Sequence, residues 1–160
     1  MKLRIFVVIN LFLAALIIGG CTTGSSPRTA FGEFTKAMRE GKWDTVWEML
    51  SAKTQKSFED EGYKKMKEII EAMPSDLKKE KVAELGVTHT QLLKMNPREF
   101  FVLVMQKTNA SKEFLKDSAN DEVEKVQIKN GKAKLKIKGK NEVATMVIEK
   151  GDWKVEFEDD

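Results

Sequence analysis

Two turn sequences near the C-terminal end of the printed sequence restrict its fold more than any other feature. Asn130-Gly131 is a strong two-residue hairpin signal, because both residues tolerate the positive φ that such a turn requires. Counting outward from this turn places Ile128 opposite Ala133 and Val126 opposite Leu135. All four apolar side chains then share one face, so the turn and the alternating pattern predict the same register.

A second hairpin is predicted around Lys150-Gly151, and it also gathers apolar residues on one face. Gly139-Lys140-Asn141 connects the two hairpins. The predicted pairs of the second hairpin are Ile148 with Trp153, Met146 with Val155, and Ala144 with Phe157. The result is a four-stranded antiparallel meander whose single apolar face must be covered by the preceding residues.

Those preceding residues, from 27 to about 118, have helical spacing. Ser26 followed by Pro27 is a typical helix start, and Asp44 is a candidate cap for a second helix. Asn96 to Glu99 forms the clearest capping box, and the residues from Phe100 to Met105 are apolar nearly all round. That run predicts a deeply buried helix, with a strand as the alternative. The predicted fold class is α+β, a single domain over 27–160 with helices packed on the C-terminal meander.

The N-terminal residues have the composition of a secretory signal. Lys2 and Arg4 precede an apolar run, Ile5–Ile18, which is short for a membrane-spanning helix. The boundary Ile18-Gly19-Gly20-Cys21 resembles the bacterial lipobox, in which the peptide is cut before the cysteine and the cysteine is lipidated. An uncleaved anchor helix with an incidental cysteine is the alternative.

The lipobox resemblance implies both how the chain is divided and where the protein is located. It implies a signal peptide over 1–20, and a lipidated Cys21 with a short polar tether over 21–26. Cys21 is the only cysteine, so it has no internal disulfide partner. The resemblance implies attachment to the bacterial cell envelope. Thr22, rather than Asp, after the cysteine favours the periplasmic face of the outer membrane if the organism is diderm.

The net charge of the mature chain argues against nucleic acid as a partner. The full sequence has 28 basic and 25 acidic side chains, and removing Lys2 and Arg4 leaves 26 against 25. A net charge of about +1 lacks the strong basic excess of nucleic-acid-binding domains.

Three stretches resemble the nuclear-transport-factor-2-like, or cystatin-like, domains of bacterial lipoproteins. They are a helical pair around Phe34, Ala37, Gly41-Lys42-Trp43-Asp44, Val46 and Leu50, a hairpin over 124–137, and a final hairpin over 149–155. The resemblance implies a cone-like arrangement of helices on a curved sheet. Residues 75–110 depart from the pattern as a longer helical insert. Enzymes and binding modules both use this scaffold, so the resemblance implies a fold more firmly than an activity.

Candidates for chemistry are few. His89 is the only histidine, and it is predicted to be a surface or capping-region residue near a helix start. Tyr63 is the only tyrosine, and its charged neighbours predict wet surroundings with an exposed or half-buried ring. Glu124 is the one acid that extends an apolar strand row, that of Val126 and Ile128. No catalytic residue, metal site or cofactor is predicted, since acid-base chemistry needs titratable groups held away from water.

Aromatic residues give the best candidate for a binding site. An apolar pocket could be lined by Phe31, Phe34, Trp43, Trp47, Met146 and Trp153. The alternative is that these residues fill the contact between helices and sheet.

Alternating lysines from Lys132 to Lys140 predict a solvated strand face, with attraction to anionic headgroups or an acidic partner as the functional alternative. The predicted function is a membrane-anchored lipoprotein with a non-enzymatic domain that binds an apolar ligand or an envelope protein. A small isomerase or hydrolase on the same scaffold is the alternative.

Overall fold

The fold is α+β, as predicted, with the helices preceding a four-stranded antiparallel sheet. The computed structural model describes residues 24–108, 112, 121–141 and 143–157. The helical segments are α1 (Pro27–Arg39), α2 (Trp43–Met49), α3 (Ala52–Ser57), a π-helical turn (Phe58–Lys64), α4 (Lys65–Ala72), α5 (Ser75–Glu84), α6 (His89–Lys94) and α7 (Pro97–Lys107). The strands are β1 (Val123–Lys129), β2 (Lys132–Ile137), β3 (Val143–Glu149) and β4 (Asp152–Glu156), in sheet order β1-β2-β3-β4.

The first helix begins where the sequence predicts. The hydroxyl oxygen of Ser26 accepts a hydrogen bond from the backbone N–H of Thr29 at 3.1 Å, and Pro27 occupies the first helical position. Gly41, at φ +67°, reverses the chain beyond the helix, a conformation that is strained for residues with a Cβ. This turn leads directly into α2.

Asp44 does not cap α2, so that prediction is wrong. The helix begins at Trp43, two residues before the start that a cap at Asp44 requires, and it has no side-chain cap. Asp44 therefore lies in the first turn, where its carboxylate still favourably opposes the helix dipole. It also forms a 3.0 Å ion pair with Arg98 of α7. Lys42 occupies the N-cap position instead, and its side chain makes no capping hydrogen bond.

The capping box before α7 is confirmed, and the segment is a helix rather than a strand. The side chain of Asn96 accepts from the N–H of Glu99, and the carboxylate of Glu99 accepts from the N–H of Asn96, both at 2.9 Å. The predicted deep burial holds only for Phe100 and Phe101. The apolar residues over 102–105 are half-buried, because the first two rings take the positions that face the two cores.

The register of both hairpins is confirmed where strand pairing extends. Asn130 and Gly131 have φ values of +52° and +73°, as a two-residue turn requires. The observed pairs are Ile128 with Ala133, Val126 with Leu135, Ile148 with Trp153, and Met146 with Val155. Strand β4 ends at Glu156, so the pair predicted for Phe157 falls outside the ladder.

A bulge at the start of β1 corrects the placement of Glu124. The register shifts between Val123 and Lys125, so Val123 pairs with Ile137 and is buried. Glu124 is consequently turned outward, where its carboxylate pairs with Lys136 at 3.1 Å. The apolar row is thus continued by valine, and Glu124 does not extend it.

Two hydrophobic cores lie on either side of α7. The first is built by α1, α2 and the inner face of the sheet, and it includes Phe101. The second is entirely helical and includes Phe100. Phe58, from the π-helical turn, packs against both cores. The stretch 75–107 is helical in α5, α6 and α7.

The helices cover only part of the inner sheet face. Met146 and Ala133 are fully buried, whereas Ile148 is 49% exposed and Ile128 60% exposed on the same face. Both exposed residues lie near hairpin turns, beyond the helical cover. Alternation alone predicts the face of a strand residue but not how far the covering layer reaches.

Candidate functional site

The described part of the chain starts beside the first strand. Ser26 and Pro27 begin α1, and the guanidinium of Arg28 donates to the backbone carbonyl oxygens of Val123 and Glu124, the latter at 3.3 Å. The predicted lipobox residues, Ile18, Gly19, Gly20 and Cys21, lie outside the described residues. A chain leaving α1 toward residue 21 therefore departs from the start of β1.

The structure brings all six predicted pocket residues into one packed cluster. Phe31, Phe34, Trp43 and Met146 are buried, while Trp47 and Trp153 are half-buried against them. The Trp47 ring contacts Phe101 and Phe58 at centroid distances of 5.3 and 5.6 Å. In this arrangement the side chains join the helices to the sheet. An apolar ligand site among them stays a prediction.

An open groove of about 440 Å³ lies instead on the helical side of the molecule. Its polar lining is partly committed to helix capping. The Gln91 side-chain oxygen accepts from the N–H of Thr88 at 2.7 Å, and the Glu99 carboxylate accepts from Asn96. The groove is lined by Val87, Gln91, Lys94, Met95 and Glu99. This groove was not predicted from the sequence, in which the available signal was the pair of capping sequences at Thr88 and Asn96.

Tyr63 lies close to this groove and is buried, so the predicted wet surroundings are wrong. Its hydroxyl donates to the backbone carbonyl of Met95. The Lys67 ammonium donates to the Tyr63 oxygen at 2.9 Å and to the Leu93 carbonyl at 2.8 Å. The chain over 93–95 supplies the cover that local sequence could not reveal. These bonds tie the π-helical turn and α4 to the end of α6.

A glycine permits the unusual helical turn that carries Tyr63. A Cβ added at Gly62 would lie 3.2 Å from the nearest carbon of the Phe58 ring. The absence of a side chain at Gly62 therefore lets Phe58 pack against both cores from within the π-helical turn. Tyr63 is presented inward by the same turn.

His89 is the first residue of α6 and is partly buried. Its Nε2 atom is buried and has no hydrogen-bond partner within the described part of the chain. No carboxylate is recorded against either ring nitrogen among the described residues. A general base needs a partner that orients its ring and a reacting group within reach. The geometry accordingly does not assemble a catalytic pair around His89.

Clear pKa shifts occur in exposed ion pairs. Hydrogen bonds from Lys64 and then Lys56 lower the pKa of Asp60, and a hydrogen bond from Lys138 lowers the pKa of Glu122. These groups remain in water, where such pairs contribute little to stability. Their shifts reflect local charge pairing at the surface.

The predicted lysine strand face is observed only as far as β2 extends, because the strand ends at Ile137 and Lys138 and Lys140 lie beyond it. Lys132, Lys134 and Lys136 are exposed, and they alternate with Ala133, Leu135 and Ile137, which are buried. The lysine ammonium groups therefore lie on the side of the sheet opposite the helices.

Within the described ranges, no group of three or more histidine, cysteine, aspartate or glutamate side chains could hold a metal ion. Nor does any helix in those ranges have the length and apolar character needed to cross a membrane.

Comparisons with known proteins give no relative. The chain matches no family model, no curated protein and no solved structure.

Proposed function

We propose that this chain is a lipid-anchored lipoprotein of the bacterial cell envelope whose folded domain is a non-enzymatic binding module. The observation that carries the anchoring is the sequence Ile18-Gly19-Gly20-Cys21 after a basic start and an apolar run. Two or three acyl chains on Cys21 hold a protein on a membrane stably, whereas one chain binds only marginally.

The position of the first helix supports this proposal. The Ser26 cap of α1 lies five residues after Cys21, and the residues between are small and polar. A segment of this composition and length suits a tether that keeps the domain near the lipid.

The binding role is supported by where the polar groups are used. The Tyr63 hydroxyl is bonded to a backbone carbonyl, and the titratable groups with clear pKa shifts lie in exposed ion pairs. The groove beside Met95 is open and partly apolar, which suits an envelope protein segment or an apolar ligand.

The anchoring is tested by changing Cys21→Ser in the full chain expressed in bacteria with radiolabelled palmitate. The variant should accumulate as an unlabelled, longer precursor, while the wild type is labelled, cleaved and found in the membrane fraction. Ser25→Ala, a matched change in the tether, should be labelled like the wild type. Palmitate incorporation by Cys21→Ser equal to that of wild type would overturn the proposal.

The membrane of residence is tested by Thr22→Asp in a diderm host. By resemblance to the lipoprotein sorting rule, we expect the wild type in the outer membrane and the variant in the inner membrane. Density-gradient separation of the two membranes measures the difference, and an unchanged distribution would contradict the assignment.

A small isomerase or hydrolase is the second candidate. No described residue orients the His89 ring, but its buried Nε2 atom has no partner among the described residues and would be available to a hydrogen-bond donor on a bound substrate, which is the observation in favour of an enzyme. On the binding-module proposal, His89→Ala leaves any phenotype of a gene deletion fully complemented. Loss of complementation, with folding and membrane attachment intact, would favour the enzyme instead.

A further inference from the structure

The outer face of the β1–β2 hairpin carries a compact array of lysines. Strand pairing sets Lys125 opposite Lys136 and Lys129 opposite Lys132, with Lys134 opposite Gln127 between them. We call the lysine face the set Lys125, Lys129, Lys132, Lys134 and Lys136, together with Lys138 just beyond β2. Like charges directly opposite one another in a sheet are unfavourable. The array therefore costs stability unless negative charge lies against it.

Acidic side chains offset only half of the lysine face. Lys132 pairs with Glu156 at 2.8 Å, Lys136 with Glu124 at 3.1 Å, and Lys138 with Glu122 at 2.9 Å. The other three lysines form no ion pair with any residue in the described part of the chain. These three are Lys125, Lys129 and Lys134. The hairpin thus presents an excess of positive charge.

The neighbouring strands add no comparable negative surface. Glu156 of β4 is 8% exposed and already paired with Lys132. The Glu149 carboxylate of β3 accepts the N–H of Ala52 at 2.9 Å, so it is engaged at the start of α3. Val143 and Val147 extend the same outer face on β3. Asp152 lies at the second hairpin turn on β4, which β3 separates from the β1–β2 hairpin.

The tether brings this face close to the membrane. Residues 21–26 can span at most about 20 Å when fully extended. Arg28, two residues beyond the tether, bonds to the carbonyls of Val123 and Glu124, so the tether leaves the domain at the start of β1. The seven residues of β1 extend roughly 23 Å from that point. The whole lysine face can therefore reach a bilayer to which residue 21 is fixed.

We propose that the lysine face lies on anionic lipid headgroups when the domain is anchored, an inference that rests on the proposed lipidation of Cys21. An array of long, exposed lysine side chains on one sheet face matches a laterally extended negative surface. Each lysine near such a surface strengthens binding to it by about five-fold. The tether holds the lysine face near the lipid, so an acidic protein segment would have to enter the space between the face and the membrane.

The test uses the full, lipidated chain on vesicles and a single fluorescent label. Because Cys21 is the only cysteine and is acylated in this proposal, Gln127→Cys supplies one free thiol at the centre of the lysine face. Glu68→Cys, on exposed α4, supplies the reference label. Vesicles contain phosphatidylcholine alone or with phosphatidylglycerol, and a headgroup-borne quencher reports contact. Flotation with the vesicles establishes anchoring independently.

We expect the label at 127 to be quenched on vesicles that contain phosphatidylglycerol, and the label at 68 to remain unquenched. Changing Lys125, Lys129 and Lys134 together to Gln should lower the equilibrium constant for contact between the lysine face and the vesicle by on the order of 100-fold. Changing Lys79, Lys94 and Lys107 to Gln removes the same charge from the helices and should leave quenching intact. Raising the salt concentration should also abolish quenching.

The outcomes separate the two proposals. Failure of the protein to float with vesicles of phosphatidylcholine alone overturns the anchoring. Normal flotation with no quenching at 127 overturns the lysine-face proposal and leaves the anchoring standing. Equal quenching with and without phosphatidylglycerol, or equal loss in both triple variants, also overturns it, because contact would then not depend on this array of charges.

Discussion

Met146→Ala and Ile148→Ala form a matched pair that tests where the helices cover the sheet. The two residues lie on the same strand and the same face, and each substitution removes three heavy atoms. Met146 is 0% exposed and belongs to the first core, whereas Ile148 is 49% exposed at the uncovered end of the face.

The expected costs follow from burial. For Met146, three groups at about 0.8 kcal/mol each give about 2.4 kcal/mol, and an enclosed cavity raises the loss of unfolding free energy to about 3–4 kcal/mol. Ile148 is about half exposed, so its substitution loses only about half of that transfer free energy and leaves no enclosed cavity. With the lower strand propensity of alanine included, the loss of unfolding free energy is about 1–1.5 kcal/mol.

Urea denaturation followed by circular dichroism measures both variants against the wild type. Because the slope with denaturant reflects the surface exposed on unfolding, equal slopes allow the midpoints to be compared directly. Equal losses for the two variants, or a larger loss for Ile148→Ala, would refute the placement of the helical layer.

Three further changes test local contacts by the same measurement. Asn96→Ala removes the cap of α7 and should cost about 1 kcal/mol, while Asn96→Asp should retain most of it; no loss for alanine would contradict the cap. Tyr63→Phe leaves the buried carbonyl of Met95 without its donor and should cost about 1–3 kcal/mol, whereas a neutral effect would contradict that bond. Asp60→Asn should lower the midpoint slightly at neutral pH, because hydrogen bonds from two lysines lower the pKa of Asp60. A lowered carboxyl pKa stabilises the fold above the unfolded value and stops doing so as pH falls through the folded value, so the difference should vanish in acid. A difference that grew in acid would contradict this ion pair.

Short-range chemistry determined the parts of this protein that the sequence predicted. The Asn130-Gly131 turn fixes its own backbone geometry and therefore the pairing of Ile128 with Ala133. The capping box at Asn96 depends on residues three apart, so its partners are present wherever the helix forms. The α+β order of helices and meander follows from such signals taken along the chain.

The gathering of the aromatic residues could also be predicted, because helical spacing and strand alternation both assign them to inner faces. Phe31 and Phe34 share a helix face, and Met146 lies on the inner face of β3. How tightly these side chains pack could not be predicted, because packing depends on how the helical layer meets the sheet.

Tertiary structure alone decided the remaining features. The bulge in β1 turned Glu124 outward because Ile137 took Val123 as its partner. Tyr63 became buried because the chain near Met95, thirty-two residues away, covers it. Met146 and Ile148 have the same strand pattern but different exposure, because α1 and α2 reach only one of them. In each case the deciding contact joins residues distant in sequence, and the physical cause is that burial depends on what the rest of the chain places against a surface, which no local pattern contains.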